Sequence, residues 1–353
     1  MAVAPAMARS LARLLARAPC ATPVPAAAPG ARCMATANAG WVPVPPTPTT
    51  LAAQTQRFGE AGRPTRDLAV LHGLFGSGRN WRAVGAALGN ALVQHDPDYA
   101  WRITLVDQRC HGASTRAYHA EPPHTLQSSA LDLDALFGSL MGGAPDVLIG
   151  HSLGGKVALA YLATELKREA IYRSPNGKNP PKCTFVLDSA PWRLSNDFHG
   201  TKSTMDVLRD LPEVIPSRRW LHDTLGPQGL SADIINWLGT NLAPLPGQSA
   251  PEPLFWQWDF QGCESMFQSY ADTDHWSTLH DAHHAGLTAE VVVAERSYNA
   301  WPDAERHKLS AAPVHHVLPR AGHWLHVDNP SGLVHLLAGR IHGAFARLPP
   351  PFP

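Results

Sequence analysis

The sequence predicts an α/β fold: a mainly parallel, twisted sheet flanked by helices, with a helical lid inserted between the sixth and seventh sheet strands. Two observations carry this. Short apolar runs alternate with amphipathic stretches, as in strands joined through helices, and the first four runs end in polar or glycine-rich turns, HGLFGS, DQRCHGAS, GHSLGG and DSAP. Of 353 residues, 44% are hydrophobic and 16% charged, which excludes a disordered chain and supplies a large core.

Taken in order, the chain opens without an acidic residue before Glu60, while Arg9, Arg13, Arg17 and Arg32 interrupt a stretch of Ala, Pro and Leu. Over residues 7–18 the arginines recur every four positions, with Leu11, Leu14 and Leu15 between them, so a helix there sets a basic stripe beside an apolar one. Residues 1–40 read as a cleavable transit peptide, the alternative being a disordered tail or a surface-binding helix. The basic helix favours a mitochondrial matrix, whereas ARCMA at 31–35 resembles processing sites for the chloroplast stroma. Cleavage would remove four Arg and no acid, taking an even balance of 29 basic and 29 acidic residues to −4. A reporter fused to residues 1–40 is expected to enter an organelle; one that stays evenly cytosolic would refute the reading.

Residues 41–50, WVPVPPTPTT, are too proline-rich for helix or sheet and read as a linker or extended arm. The core is expected over 51–191 and 287–347, with strands at 67–71, 103–106, 147–149, 184–187, 290–293 and 314–318. Between 192 and 286 the alternation gives way to irregular helical stretches carrying Trp192, Trp220, Trp237, Trp256, Trp258 and Trp276. Most of these should pack the cap, and a few would line an apolar acyl pocket.

Other classes are excluded by composition. There is no basic excess for nucleic acid and no apolar run long enough to span a bilayer. Five cysteines (Cys20, Cys33, Cys110, Cys183 and Cys263) contain no C-x-x-C pair, which argues against a disulfide framework and a zinc knuckle and for reduced thiols. His280, His283 and His284 read as a solvated cluster, since no H-E-x-x-H accompanies them. No metal or organic cofactor is expected.

Gly150-His151-Ser152-Leu153-Gly154 falls between an apolar strand and a helical run, where a nucleophilic serine needs a sharp turn with small neighbours. Acyl transfer also needs donors for the developing oxyanion. The Leu153 N–H follows the serine, and the loop after strand 67–71 offers the Leu74 N–H, with Phe75 the alternative. A base following the last strand would be His323 in AGHW, ahead of His326. His72 precedes the serine and reads as a structural group; so do Arg109 and His111 in their tight turn. The acid is open: Ser297 stands where a carboxylate would follow the penultimate strand, so Asp188 is preferred, with Glu295 and Asp259 as alternatives.

HGLFGS, the D-x-R-x-H-G-x-S run from Asp107 to Ser114, GHSLGGK and AGHWLH together resemble the α/β-hydrolase fold family. The similarity is to its branch with α/β-hydrolase domain-containing protein 11 and small bacterial esterases. It covers about residues 51–347, is specific in the four turns and weak over 192–286. It implies serine-dependent hydrolysis of esters or thioesters without a cofactor, acting on a small ester, thioester or lipid, and a mitochondrial address in the animal member. Members of this branch also lack the acid after the penultimate strand, which supports Asp188. The chain departs from them in RSPNGKNPPK at 173–182 and in a Pro-rich run over 242–253. A carbon-carbon or elimination lyase of the menaquinone-synthase type and a non-catalytic ligand-binding protein are the alternatives on the same skeleton.

Overall fold

The computed structural model describes residues 40–172, 180–194, 199–244, 253–311 and 315–346. Residues 1–39, with the expected transit helix, lie outside these, as do most of the 173–182 run and residues 245–252. Six strands come first: β1 (Val42–Val44), β2 (Ala53–Phe58), β3 (Thr65–Leu71), β4 (Ala100–Val106), β5 (Val147–His151) and β6 (Cys183–Leu187). Three short strands, β7 (Val214–Ile215), β8 (Leu242–Ala243) and β9 (Leu254–Trp256), form a separate small sheet, after which β10 (Thr288–Ala294) and β11 (His315–Leu318) complete the main one.

The main sheet runs in the order β1-β2-β4-β3-β5-β6-β10-β11, antiparallel only in the β1–β2 and β2–β4 pairs. Strands β5 and β6 are buried throughout and β4 nearly so, because helices cover both faces. On one face α1 (Arg82–His95) packs against the C-terminal helix, here counted last as α10 (Pro330–Ala346). On the other lie α2 (Leu126–Met141) and α3 (Leu153–Tyr172). Helix α2 starts where Thr125 accepts the Ser128 N–H and stops at Gly142, whose φ of +72° ends the helical path. Leu68, Ile103, Leu105 and Phe185 are essentially inaccessible, and each such side chain contributes about 1.5–3 kcal/mol of burial.

Register brings the strand ends level. Leu71 pairs with both Val106 and Gly150, and Gly150 with Val186, so the turns after β3, β4, β5 and β6 meet at one edge. The chain leaves β3 for β4 on one side and returns to β5 on the other. This is the switch point at which open α/β sheets place their ligands.

Two features differ from the sequence-based expectation. The proline-rich 41–50 stretch contributes β1, with Val42, Pro43 and Val44 opposite Thr55, Gln54 and Ala53. Proline excludes a central strand, yet at an edge its missing N–H costs nothing when that side faces outward. The stretch read as cap also ends early. Residues 188–287 hold α4 (His199–Arg209), α5 (Arg218–Leu225), α6 (Ala232–Gly239), the small sheet, α7 (Phe260–Asp272) and α8 (Trp276–His284), but α8 packs on α3 and β10 as part of the core layer. Helix α9 (Asp303–Ala311) lies between β10 and β11.

Candidate active site

Ser152 occupies the turn between β5 and α3 with φ +52°. The turn is too tight for side chains at its flanks. A Cβ on Gly150 would lie 2.1 Å from the Gly154 carbonyl oxygen, and one on Gly154 would lie 2.5 Å from that of His72. Among the described residues, non-glycine positive φ occurs at Phe75, Cys110, Ser152, Asp188 and Arg320, each just beyond a parallel strand. Strain of this kind costs about 1–3 kcal/mol per residue and concentrates where function holds it.

Ser152 Oγ lies 3.1 Å from His323 Nε2, and His323 Nδ1 lies 2.8 Å from Asp188 Oδ2. Asp188 is nearly inaccessible, its side chain 2% exposed against 29% for His323. Its carboxylate also accepts the Ala294 N–H at 2.9 Å and the Ser297 hydroxyl at 2.7 Å. The other two candidate acids sit elsewhere. Glu295 accepts the Arg320 N–H on an exposed turn, and Asp259 caps α7 by accepting the Gly262 N–H. Ser297, noted in the sequence only for not being acidic, thus faces the carboxylate of the neighbouring strand end.

The loop after β3 is held from three sides. The Gly73 carbonyl accepts from the Gly76 N–H at 3.0 Å and from His72 Nδ1 at 2.8 Å. In a trans peptide the N–H points opposite to the C=O, so the Leu74 N–H is turned away from both donors. A Cβ on Gly73 would lie 3.1 Å from Ser152 Cβ, which puts this peptide against the serine. Phe75 is different: its N–H already donates to His111 Nε2 at 3.0 Å, while Asn241 Nδ2 donates to its carbonyl at 2.6 Å. Leu153 is the first residue of α3, where N–H groups have no partner within the helix. Among the described residues, neither the Leu74 nor the Leu153 N–H donates to another group, unlike that of Phe75.

The histidines around the relay are electrically quiet. Backbone N–H groups can only donate, so His72 Nε2 must accept from Gln108 N–H and His111 Nε2 from Phe75 N–H. Each Nδ1 then carries the proton, donating to the carbonyl of Gly73 and of Arg109 respectively. Burial pulls the His72 pKa down to about 4 and, with the neighbouring His72 imidazole, the His111 pKa down to about 3. Both are ordinary histidines in the unfolded chain, so below pH ~6.5 the unfolded state binds the extra protons and stability falls as the pH drops toward 3. At pH ~4.5 one such histidine costs about 2 kcal/mol. Thermal melts between pH 7 and 4.5 should show this slope, and His111→Gln should flatten it; an unchanged slope in that variant would refute the assignment.

Three side chains that sequence reasoning passed over hold the site. His151 donates from Nε2 to the His323 carbonyl at 2.7 Å, fixing the loop that carries that imidazole. Lys156, wholly inaccessible and its pKa pulled down to about 7 by burial, donates to the carbonyls of Trp192, Tyr270 and Thr273. It ties both roots of the 188–287 segment to α3, one turn after Ser152. Asn241 is the third, reaching the strained Phe75. Arg109 is locked across to Asp132 of α2 at 2.5 and 2.8 Å. His326 stacks on Trp81 at 4.3 Å between centroids and makes no bond to the relay.

The tryptophans divide. Trp192 and Trp276 pack together near Trp301, at the root. Trp258 lies 4.7 Å from the Phe75 ring and stacks on Trp256, while Trp237 meets Trp324, the residue after His323. These last rings pack against Phe75 of the loop after β3 and against the neighbour of His323. Trp220 packs against the same core, and no helix among the described residues is long and apolar enough to cross a membrane.

Comparison with known proteins agrees with this architecture. Residues 68–336 match the model of the alpha/beta hydrolase family. Among curated proteins, the chain is 27% identical over 271 residues to the sn-1-specific diacylglycerol lipase ABHD11 of Danio rerio, covering 74% of each chain. It is 26% identical to the Mus musculus protein of that name, covering 77% of this chain and 79% of the other. Among solved structures, a marine microorganism esterase superposes with a TM-score of 0.61 at 22% identity, over 82% of this chain and 99% of the esterase; at that identity the likeness concerns the fold.

Proposed function

The chain belongs to the alpha/beta hydrolase family, and on that premise we propose that it is a serine hydrolase cleaving carboxylic esters or thioesters of small or acyl-chain substrates through an acyl-enzyme. The observation that carries this is the unbroken relay from Ser152 through His323 to Asp188, beside two unclaimed N–H groups. Ser152 Oγ attacks the carbonyl carbon while His323 Nε2 takes its proton. The oxyanion is met by the N–H groups of Leu74 and Leu153, each such donor lowering the barrier by about 3–4 kcal/mol. His323 then protonates the departing alcohol or thiol. Water enters, loses a proton to the same nitrogen and releases the acid, regenerating Ser152. Asp188 keeps the Nδ1–H tautomer throughout and stabilises the imidazolium.

Ester or lipid substrates are supported by the curated relatives, which are named as sn-1-specific diacylglycerol lipases, and by the aromatic rings of Trp258 against Phe75 and of Trp237 against Trp324. The basic, acid-free residues 1–40 support delivery to an organelle matrix. The test is a panel of esters and acyl-thioesters of graded chain length, run beside fluorophosphonate labelling. Labelling with turnover of at least one chain length is expected. Labelling without turnover of any member would refute hydrolysis in favour of a lyase, and no labelling would point to a ligand-binding protein.

A further inference from the structure

We infer that Cys110, His124 and Asp259 form a binding site for a thiophilic divalent cation of the zinc class. The three come from separate segments, the turn after β4, the residue pair ahead of α2 and the N-cap of α7, so no spacing motif announces them. Their ligand atoms all lie within 4.8 Å of one another, and the Cys110 Sγ to His124 Nδ1 distance is 3.5 Å. Tetrahedral zinc, with Zn–S of about 2.3 Å and Zn–N of about 2.0–2.1 Å, sets those two atoms about 3.5 Å apart.

The remaining geometry fits. One carboxylate oxygen of Asp259 caps the helix at Gly262 N–H, and the other faces the Cys110 thiol, whose proton a metal would displace. A Cβ on Gly262 would lie 2.2 Å from Cys110 Sγ and 2.8 Å from that second Asp259 oxygen, so sulfur and oxygen share the space glycine leaves. The Asp259 N–H donates to the Cys110 carbonyl at 2.9 Å, so the two ligands are held together before any ion arrives. Arg109 Nη1 stands 3.4 Å from His124 Nδ1, yet its guanidinium keeps Asp132 and the Pro123 carbonyl when that nitrogen turns to a metal. Thiolate, carboxylate and neutral imidazole around a dication sum to zero charge, which suits a half-buried site. The carboxylate is the one hard oxygen ligand beside a soft thiolate and an imidazole, too few for calcium or magnesium. Asp259 is exposed, which leaves water as the fourth ligand, and on binding the Cys110 thiol proton passes to solvent.

Cobalt(II), titrated into the full chain with a thiol-free reductant, tests this directly. One equivalent should bind with four-coordinate d–d bands and a thiolate-to-cobalt charge-transfer band, and zinc should displace it. Cys110→Ser should abolish the charge-transfer band, Cys20→Ser/Cys33→Ser should retain it, and His124→Gln and Asp259→Asn should each weaken binding tenfold or more. No charge-transfer band in the parent protein, or one that survives Cys110→Ser, overturns the site. If Cys110→Ser does not fold, the other two variants decide, and unchanged affinity in both overturns it equally.

Discussion

Replacing Ser152 with alanine is expected to lower ester turnover by about four orders of magnitude or more and to abolish fluorophosphonate labelling, with the fold unchanged. The serine hydroxyl is the group that the His323 imidazole faces at 3.1 Å, and no other hydroxyl in the described site stands there. In a serine protease, loss of the nucleophile alone costs about as much as loss of the whole relay, roughly 10⁶ in kcat, because the members act as a unit. Residual turnover would come from the Leu74 and Leu153 N–H groups acting on bound substrate and water. Stability should not fall. Alanine adopts the same backbone at this strained turn, and the substitution removes a polar atom rather than core volume. Circular dichroism and a melting curve should therefore match the parent. A variant with turnover within tenfold of the parent would show that Ser152 is not the nucleophile.

Much of this was legible because the chemistry sits where secondary structure changes. The GHSLGG turn is recognisable since a strand must stop, reverse and start a helix within a few residues, and only small neighbours permit it. His323 could be singled out from 19 histidines by its place after the final strand. What escaped notice acts at a distance through backbone atoms. Lys156, His151 and Asn241 all donate to carbonyl oxygens, and every residue has a carbonyl, so no residue pairing in the sequence marks the partner. The edge strand at Val42–Val44 was hidden for another reason: proline propensity describes central strands, and an edge needs hydrogen bonds on one side alone. Helix α8 resembled cap because histidines and a tryptophan crowd it, although its buried Leu279 and Ala282 face the core. The acid stayed open for the most general reason. Asp188, Glu295 and Asp259 each precede His323 in the chain, and what separates them is position in space.

Exchange of those three carboxylates, one at a time, gives the second large effect. Asp188→Asn is expected to lower kcat by at least about a hundredfold with little change in KM, whereas Glu295→Gln and Asp259→Asn should each stay within about threefold of the parent in metal-free buffer. The asymmetry follows from hydrogen-bond inventory. Asp188 accepts from three donors, Ala294 N–H, Ser297 Oγ and His323 Nδ1, and a carboxylate can satisfy all of them. An amide has one accepting oxygen, and its NH₂ group must face one of these partners. If it faces His323, Nδ1 becomes the acceptor and the imidazole proton moves to Nε2, where it points at Ser152 and removes the base. If the oxygen faces His323 instead, the tautomer survives but no negative charge offsets the imidazolium that forms in the transition state. Either arrangement raises the barrier, and in a serine protease the same exchange costs about 10⁴ in kcat. Glu295 and Asp259 contact the Arg320 and Gly262 N–H groups, which an amide oxygen can still accept. KM should hold because Asp188 is shielded from substrate behind the imidazole, its side chain 2% exposed. Near-normal kcat in Asp188→Asn, with collapse in either other variant, would move the acid to the loop after β10 or to the start of α7.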